Sequence, residues 1–137
     1  MIKSLLFLSA GIFICCTTHQ SKLIQHKNWH LYKEALHVKD AKTDTTYVKF
    51  KDFSNMEFLQ FNNSKTLNIL NGGDSRVCNY EIEDSVLSFG PEGNSNRTDE
   101  YRVLLSTKDS LVLKRVETWG NESPVRLELT LHFSAVK

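Results

Sequence analysis

The stretch VRLELTLHFSA at residues 125–135 decides the fold of this chain. Every second residue from its start is apolar, and the residues between them are mostly polar or charged. Because side chains alternate between the two faces of a β-strand, this period of two predicts a strand with one buried face. A strand of this length can bury its whole apolar face only if the sheet curves around the core.

The same alternation is present upstream, and no segment from residue 28 onward shows a convincing helical stripe. It predicts seven further strands at 29–38, 56–61, 65–70, 76–83, 86–89, 101–105 and 111–119. Short turns separate most of them, such as Asn-Gly-Gly-Asp at 71–74, whose residues tolerate positive φ. Two connections are longer, 40–55 and 90–99, and the first has room for a short strand or a helical turn at 47–53.

Eight strands joined mainly by hairpins predict an all-β domain at 28–137. We expect an antiparallel up-and-down barrel, which leaves no exposed sheet edge. A two-sheet β-sandwich is the alternative. A barrel of eight strands is either filled by its own side chains or holds one small ligand.

The first residues are typical of an export signal. Lys3 precedes an apolar run of about ten residues, whereas a membrane-spanning helix needs about 20. Residues 13–16, Phe-Ile-Cys-Cys, resemble the lipobox of bacterial lipoproteins, with Cys16 as the acylated residue. Acylation of Cys15 and ordinary secretion are the alternatives. We therefore expect a signal peptide at 1–15 and a lipidated cysteine and tether at 16–27. The acyl chains would attach the protein to a membrane of the bacterial cell envelope, on the periplasmic side or at the outer membrane.

The charge balance argues against a nucleic-acid partner. The chain has 17 Lys and Arg residues against 16 Asp and Glu residues, whereas a nucleic-acid-binding domain carries a basic excess on one face. Cys78 is the one cysteine outside the signal region, so the domain has no internal disulfide. We expect Cys78 to be a small buried hydrophobe.

The sequence contains no pattern typical of catalysis or metal binding. It has no phosphate loop, dinucleotide fingerprint, nucleophile elbow or His-Glu-x-x-His motif. His30 and His37 fall on opposite faces of a regular strand, and Glu81 and Glu83 share a face that we expect to be solvated. We therefore expect no enzymatic activity, no cofactor and no metal site.

Several patterns resemble those of the small lipocalin-like lipoproteins of Bacteroidota, over residues 27–136. They are Trp29-x-Leu31, the repeat Tyr80-x-Ile82 with Leu87-x-Phe89, and Tyr101-x-Val103-Leu104 with Leu111-x-Leu113. Lys27 stands where core lipocalins have glycine. The resemblance implies a barrel that binds a small apolar molecule. It also implies an arginine over Trp29, supplied by Arg115 or Arg126.

The candidate ligand-binding residues are positions expected to face the barrel interior or its rim. They are Phe58, Tyr101, Val103, Trp119, Leu127, Leu129, Leu131 and Phe133. The leading hypothesis is a lipid-anchored, non-enzymatic envelope protein that buries a small apolar or amphipathic ligand. The alternative is a protein-interaction, inhibitor or immunity-type lipoprotein that uses the loops 40–55 and 90–99, with a protein partner that the sequence does not identify.

Three triplets resemble the O-glycosylation signal of exported Bacteroidota proteins. They are Asp44-Thr45-Thr46, Asp84-Ser85-Val86 and Asp109-Ser110-Leu111. Each lies at a predicted turn or loop, so glycans on Thr45, Ser85 and Ser110 would be accessible. The same residue types are also good turn formers.

Overall fold

A computed structural model describes residues 22–25, 27–49, 54–94, 96 and 98–137. Within them the chain forms the strands β1 (Asn28–Lys39), β2 (Asp44–Lys49), β3 (Phe58–Phe61), β4 (Thr66–Asn71), β5 (Asp74–Glu83), β6 (Val86–Pro91), β7 (Asp99–Ser106), β8 (Ser110–Trp119) and β9 (Val125–Ala135). The expected signal peptide at 1–15 and the expected acylation site at Cys16 lie outside the described residues.

The strands form a single sheet that closes on itself. From β3 to β9 each strand pairs with the next one in the chain, and β1 pairs with both β3 and β9. All of these pairings are antiparallel. The result is an eight-stranded up-and-down barrel, which confirms the predicted fold class. The single closed sheet excludes the alternative, a two-sheet sandwich.

β2 is an additional strand beside the eight of the barrel. It pairs with β1 between Glu34 and Lys39, on the same edge of β1 that β3 occupies between Asn28 and His30. The sequence predicts either a short strand or a helical turn at 47–53. A strand is present, but it starts earlier than expected, at Asp44.

The apolar strand faces meet in one core inside the barrel. The buried core residues are Ile24, Trp29, Leu31, Met56, Leu59, Phe61, Leu67, Ile69, Cys78, Tyr80, Leu87, Phe89, Tyr101, Val103, Leu111, Leu113, Leu131 and Phe133. Trp29, Leu111 and Phe133 have no exposed surface, so the half of the barrel around them is filled by its own side chains.

A β-bulge in β1 reverses the side-chain alternation of that strand. The pairing with β9 shifts between Leu31 and Lys33, which leaves Tyr32 as the extra residue. Leu31 faces the core before the bulge, and Glu34, opposite the buried Leu131, faces it afterwards. Odd-numbered residues therefore face the core in the first half of β1, and even-numbered residues face it in the second half.

Two hairpins depend on residues with positive φ. Gly72 has a φ of 60° at the first position of the two-residue turn between β4 and β5, as in a type II′ turn. Asp84 and Ser85, between β5 and β6, have φ values of 49° and 63°, as in a type I′ turn. Both turns match the right-handed twist of the strands that they join.

The chain is already packed before β1. Residues 22–25 form a helical turn, and the side chain of Ile24 is fully buried in the core. The indole Nε1 of Trp29 donates a hydrogen bond to the carbonyl oxygen of Ile24 at 3.1 Å. The end of the expected tether at 16–27 thus contributes to the barrel core, ahead of the domain boundary placed at residue 28.

The cation over Trp29 is a lysine. The Nζ atom of Lys27 lies 5.4 Å from the centroid of the indole ring and donates a hydrogen bond to the carbonyl oxygen of Lys108 at 2.6 Å. The resemblance implied an arginine there, and this expectation is wrong. Arg115 lies toward the opposite end of the barrel, since it pairs with Leu129 whereas Trp29 pairs with Ala135. Arg126 forms an ion pair on the outer face.

Candidate functional site: the open end of the barrel

The barrel end away from Trp29 contains a cavity of about 280 Å³. Its apolar and aromatic lining consists of Leu36, Met56, Tyr101, Trp119, Leu127 and Leu129, and its polar lining of Ser54, Arg76, Asp99, Arg115 and Glu117. Small-molecule sites have volumes of about 300–1,000 Å³. The cavity is close to the lower end of this range, so it fits only a small ligand.

Leucines from β1 and β9 form the apolar wall of the cavity. Leu36 pairs with Leu129, and Val38 pairs with Leu127, so these side chains share the inner face of the two strands. One step further into the barrel, Leu131 is fully buried. The apolar surface is therefore continuous from the cavity to the filled core.

An ion-pair network occupies the β7–β8 side of the cavity. The Arg115 guanidinium lies 2.7 Å from Asp99, Nη1 to Oδ1, and also contacts Glu117 through Nη2. It lies over the ring of Tyr101, 5.8 Å from the centroid. The indole Nε1 of Trp119 donates a hydrogen bond to Glu117 at 3.0 Å. Each charge of this network already has a partner.

The surroundings of the network shift two pKa values upward. Burial raises the pKa of the Tyr101 phenol. Burial alone would lower the pKa of Arg115, but the hydrogen bond with Tyr101 and the charges of Asp99 and Glu117 outweigh it, so the pKa rises. Tyr101 thus stays neutral and Arg115 stays cationic near pH 7. Neither group has the pKa near neutrality that a general acid or base needs.

Glu34 is a fully buried carboxylate between the cavity and the filled core. Its Oε1 accepts a hydrogen bond from the backbone N–H of Ser54 at 3.1 Å and another from the Ser54 hydroxyl. A buried carboxylate needs such partners because its desolvation is costly. These bonds fix Ser54, which lines the cavity, against β1.

Arg76 contributes a positive charge from the β5 side. It pairs with the buried Ile69 of β4, which places it on the inner strand face, and its side chain is exposed at the mouth. Among the residues that the structure describes, no carboxylate lies within 4.0 Å of its guanidinium. Arg76 is therefore outside the network around Arg115.

The predicted ligand-binding residues divide into three groups. Four line the cavity: Tyr101, Trp119, Leu127 and Leu129. Val103, Leu131 and Phe133 belong to the filled core instead. The prediction that Phe58 faces the interior is wrong. Phe58 pairs with His30 on the outer face, with ring centroids 4.8 Å apart, while its neighbour Leu59 is fully buried.

Sequence reasoning missed most of the polar lining of the cavity. Arg115 and Glu117 follow Leu111 and Leu113 at intervals of two, so all of them share one strand face. Trp119 lies on the same strand face. It is 60% exposed and lies at the rim, as the sequence predicts. Extending the alternation of Leu111 and Leu113 along β8 would have placed Arg115 and Glu117 on the inner face.

The triplets that resemble glycosylation signals lie in different settings. Thr45 is exposed but lies within β2, rather than in the predicted loop. Ser85 is in the turn between β5 and β6, as expected, and Ser110 is the first residue of β8. Thr45 is the most exposed of the three positions.

The described part of the chain brings no three His, Cys, Asp or Glu side chains together in a way that could hold a metal ion. His37 is instead paired with Asp44, Nε2 to Oδ1 at 2.6 Å, which lowers the pKa of that aspartate. Cys78 is buried in the core, and burial raises the pKa of its thiol. These residues therefore serve packing and strand pairing.

A larger depression of about 580 Å³ lies on the outside of the barrel, along β5, β6 and the loop that follows β6. Asn79, Glu81 and Ser88 border it with outward-facing side chains. A ligand there would bury less of its surface than in the barrel mouth, so the inner cavity is the better candidate site.

No family model matches the chain, and neither a curated protein nor a solved structure that resembles it is found. Among the described residues, no helix is long and apolar enough to cross a bilayer.

Proposed function

We propose that this protein binds a small amphipathic molecule in the open end of its barrel and acts without catalysis. The observation that carries the proposal is the cavity of about 280 Å³, with leucines on its inner wall and charged side chains at its mouth. An amphipathic molecule can bury its apolar part against Leu127 and Leu129 while its polar part meets the mouth.

The charged network supports binding rather than chemistry. Arg115 is held by Asp99, Glu117 and the Tyr101 ring, so its position is fixed before a ligand arrives. Rigid polar groups orient a ligand at little entropic cost. A purely apolar ligand would gain nothing from these groups, which favours an amphipathic one.

The proposal also places the protein in the bacterial cell envelope, held by acyl chains on Cys16. The support is the sequence itself, a short apolar run that ends at a cysteine pair. Two or more acyl chains give stable attachment, whereas one is marginal. The barrel has the architecture that the resemblance to lipocalin-like lipoproteins implies, and membership of that group is part of the proposal.

Binding of 1-octanol tests the ligand-binding part, because this probe is small, neutral and amphipathic. Equilibrium dialysis of the purified protein against radiolabelled 1-octanol should show saturable binding. Leu129→Trp should fill the cavity and weaken binding by about tenfold, since the probe loses the burial of one to two methylene groups. Leu105→Trp, at an outward position that is 46% exposed, is the matched control and should bind as the wild type does.

Two results would contradict the proposal. One is the absence of saturable binding to the wild type. The other is an equal loss of binding in Leu129→Trp and Leu105→Trp, because the cavity would then not be the place where the probe binds. Circular dichroism of both variants checks that the barrel is intact.

A further inference from the structure

We propose that the bound molecule is an organic anion and that Arg76 holds its charged group. This inference rests on the proposed function and adds the chemical class of the ligand, a monocarboxylate with an alkyl tail. It is carried by the placement of Arg76 and by the charges that surround the cavity.

Arg76 is positioned to meet a ligand that enters the mouth. It lies on the same face of β5 as the buried Cys78, one step further from the core, and it lines the cavity. The leucine wall of β1 and β9 lies deeper, at Leu36 and Leu129. A molecule with an apolar tail and a charged end can therefore contact both.

The charge of Arg76 is available because the nearby carboxylates are engaged elsewhere. Asp99 and Glu117 both contact Arg115. Asp74 shares a strand face with Arg76, but the two side chains do not come within 4.0 Å of each other. Among the described residues that line the cavity, Arg76 is the cation without an acidic partner.

The same charges favour a monoanion. A guanidinium presents a planar pair of N–H donors that matches the two oxygens of a carboxylate. A dianion such as a phosphate monoester would meet stronger repulsion from Asp99 and Glu117. A cationic ligand would be repelled by the positive charge of Arg76.

The cavity volume sets the length of the tail. One water molecule occupies about 30 Å³ in the liquid, so 280 Å³ accommodates on the order of ten non-hydrogen atoms. A medium-chain fatty acid such as octanoate is of this size. A long-chain fatty acid would extend into solvent.

Three probes with the same tail test the inference: octanoate, 1-octanol and octyltrimethylammonium. Equilibrium dialysis with the full chain should show that octanoate binds about tenfold more tightly than 1-octanol, the effect of one charge-assisted hydrogen-bonding pair at a partly exposed site. Arg76→Gln should abolish this preference, so that octanoate binds that variant no more tightly than 1-octanol does. Arg102→Gln removes an exposed arginine from the outer face and should retain the preference.

The outcomes separate this inference from the proposed function. If none of the three probes binds, both fail. If 1-octanol binds as tightly as octanoate, or if the preference for octanoate persists in Arg76→Gln, the inference is overturned while the cavity stays a ligand site. Tighter binding of octyltrimethylammonium would also overturn it, because the selectivity would have the opposite sign.

Discussion

Ile24 and Trp29 show how single residues close the filled end of the barrel. Ile24 is fully buried although it precedes the first strand, and its carbonyl oxygen accepts the hydrogen bond of the Trp29 indole. The indole is thereby buried with its one polar group satisfied. The helical turn before β1 is thus part of the core.

Replacing Ile24 tests this contribution. Ile24→Ala should lower the free energy of unfolding by about 2–4 kcal/mol, because it removes buried methyl groups and leaves a cavity at the end of the barrel. Leu23→Ala, at a half-buried neighbouring position, should have a clearly smaller effect. Urea denaturation measures both values. Equal effects of the two substitutions would show that the turn does not pack as described.

Phe58 and Arg115 show where reasoning from single residues reaches its limit. The segment Phe58-Leu59-Gln60-Phe61 has apolar residues at both odd and even positions, so the pattern does not show which strand face is inside. Arg115 and Glu117 are charged, and charged residues are seldom buried. Their inward position follows from the pairing of β8 with β9, which a local pattern does not contain.

At the scale of the elements, alternation predicted the eight barrel strands to within a few residues at each end. It predicted them because each has one face in the core and one in solvent, as in β9. It did not define β2, whose described side chains are all exposed, so that no buried face creates a period of two. It also did not reveal the bulge at Tyr32, because only the shift in pairing identifies the extra residue.

The turn between β4 and β5 offers a matched pair of glycines. Both Gly72 and Gly73 have open space where a Cβ would be added, but only Gly72 has a positive φ, of 60°. Gly72→Ala should therefore destabilise the protein by about 1–2 kcal/mol. Gly73→Ala should be neutral or stabilising by up to about 1 kcal/mol, because it restricts the unfolded chain. Thermal unfolding of the two variants would contradict this turn geometry if their melting temperatures moved together.

At the scale of the whole molecule, the barrel has two unlike halves. The half around Trp29 and Phe133 is filled by buried side chains, and the half around Leu129 and Arg115 contains the cavity. The sequence predicted a barrel that is either filled or hollow, and this chain combines both. The division could not be predicted, because the volume inside depends on how side chains from different strands meet.

Attachment to the envelope is the prediction that concerns the whole molecule. Cys16→Ser should move the protein from the membrane fraction to the soluble fraction and remove the mass of the acyl chains, since the anchor is expected at that residue. Cys15→Ser is the matched control and should stay membrane-bound. Fractionation and intact-mass measurement give the result, and membrane association that survives Cys16→Ser would contradict the assignment of the anchor.

The bulge at Tyr32 has a consequence for how this chain can change in length. Because the bulge is what turns Glu34 and Leu36 inward, one further residue inserted between Lys33 and Glu34 would turn both outward if the first half of the strand and the bulge stayed in place. The buried carboxylate and part of the ligand wall would be lost together. The loop between β6 and β7 carries no such constraint, because none of its described residues takes part in a strand pairing. Inherited single-residue insertions should therefore accumulate in that loop and be eliminated from the second half of β1.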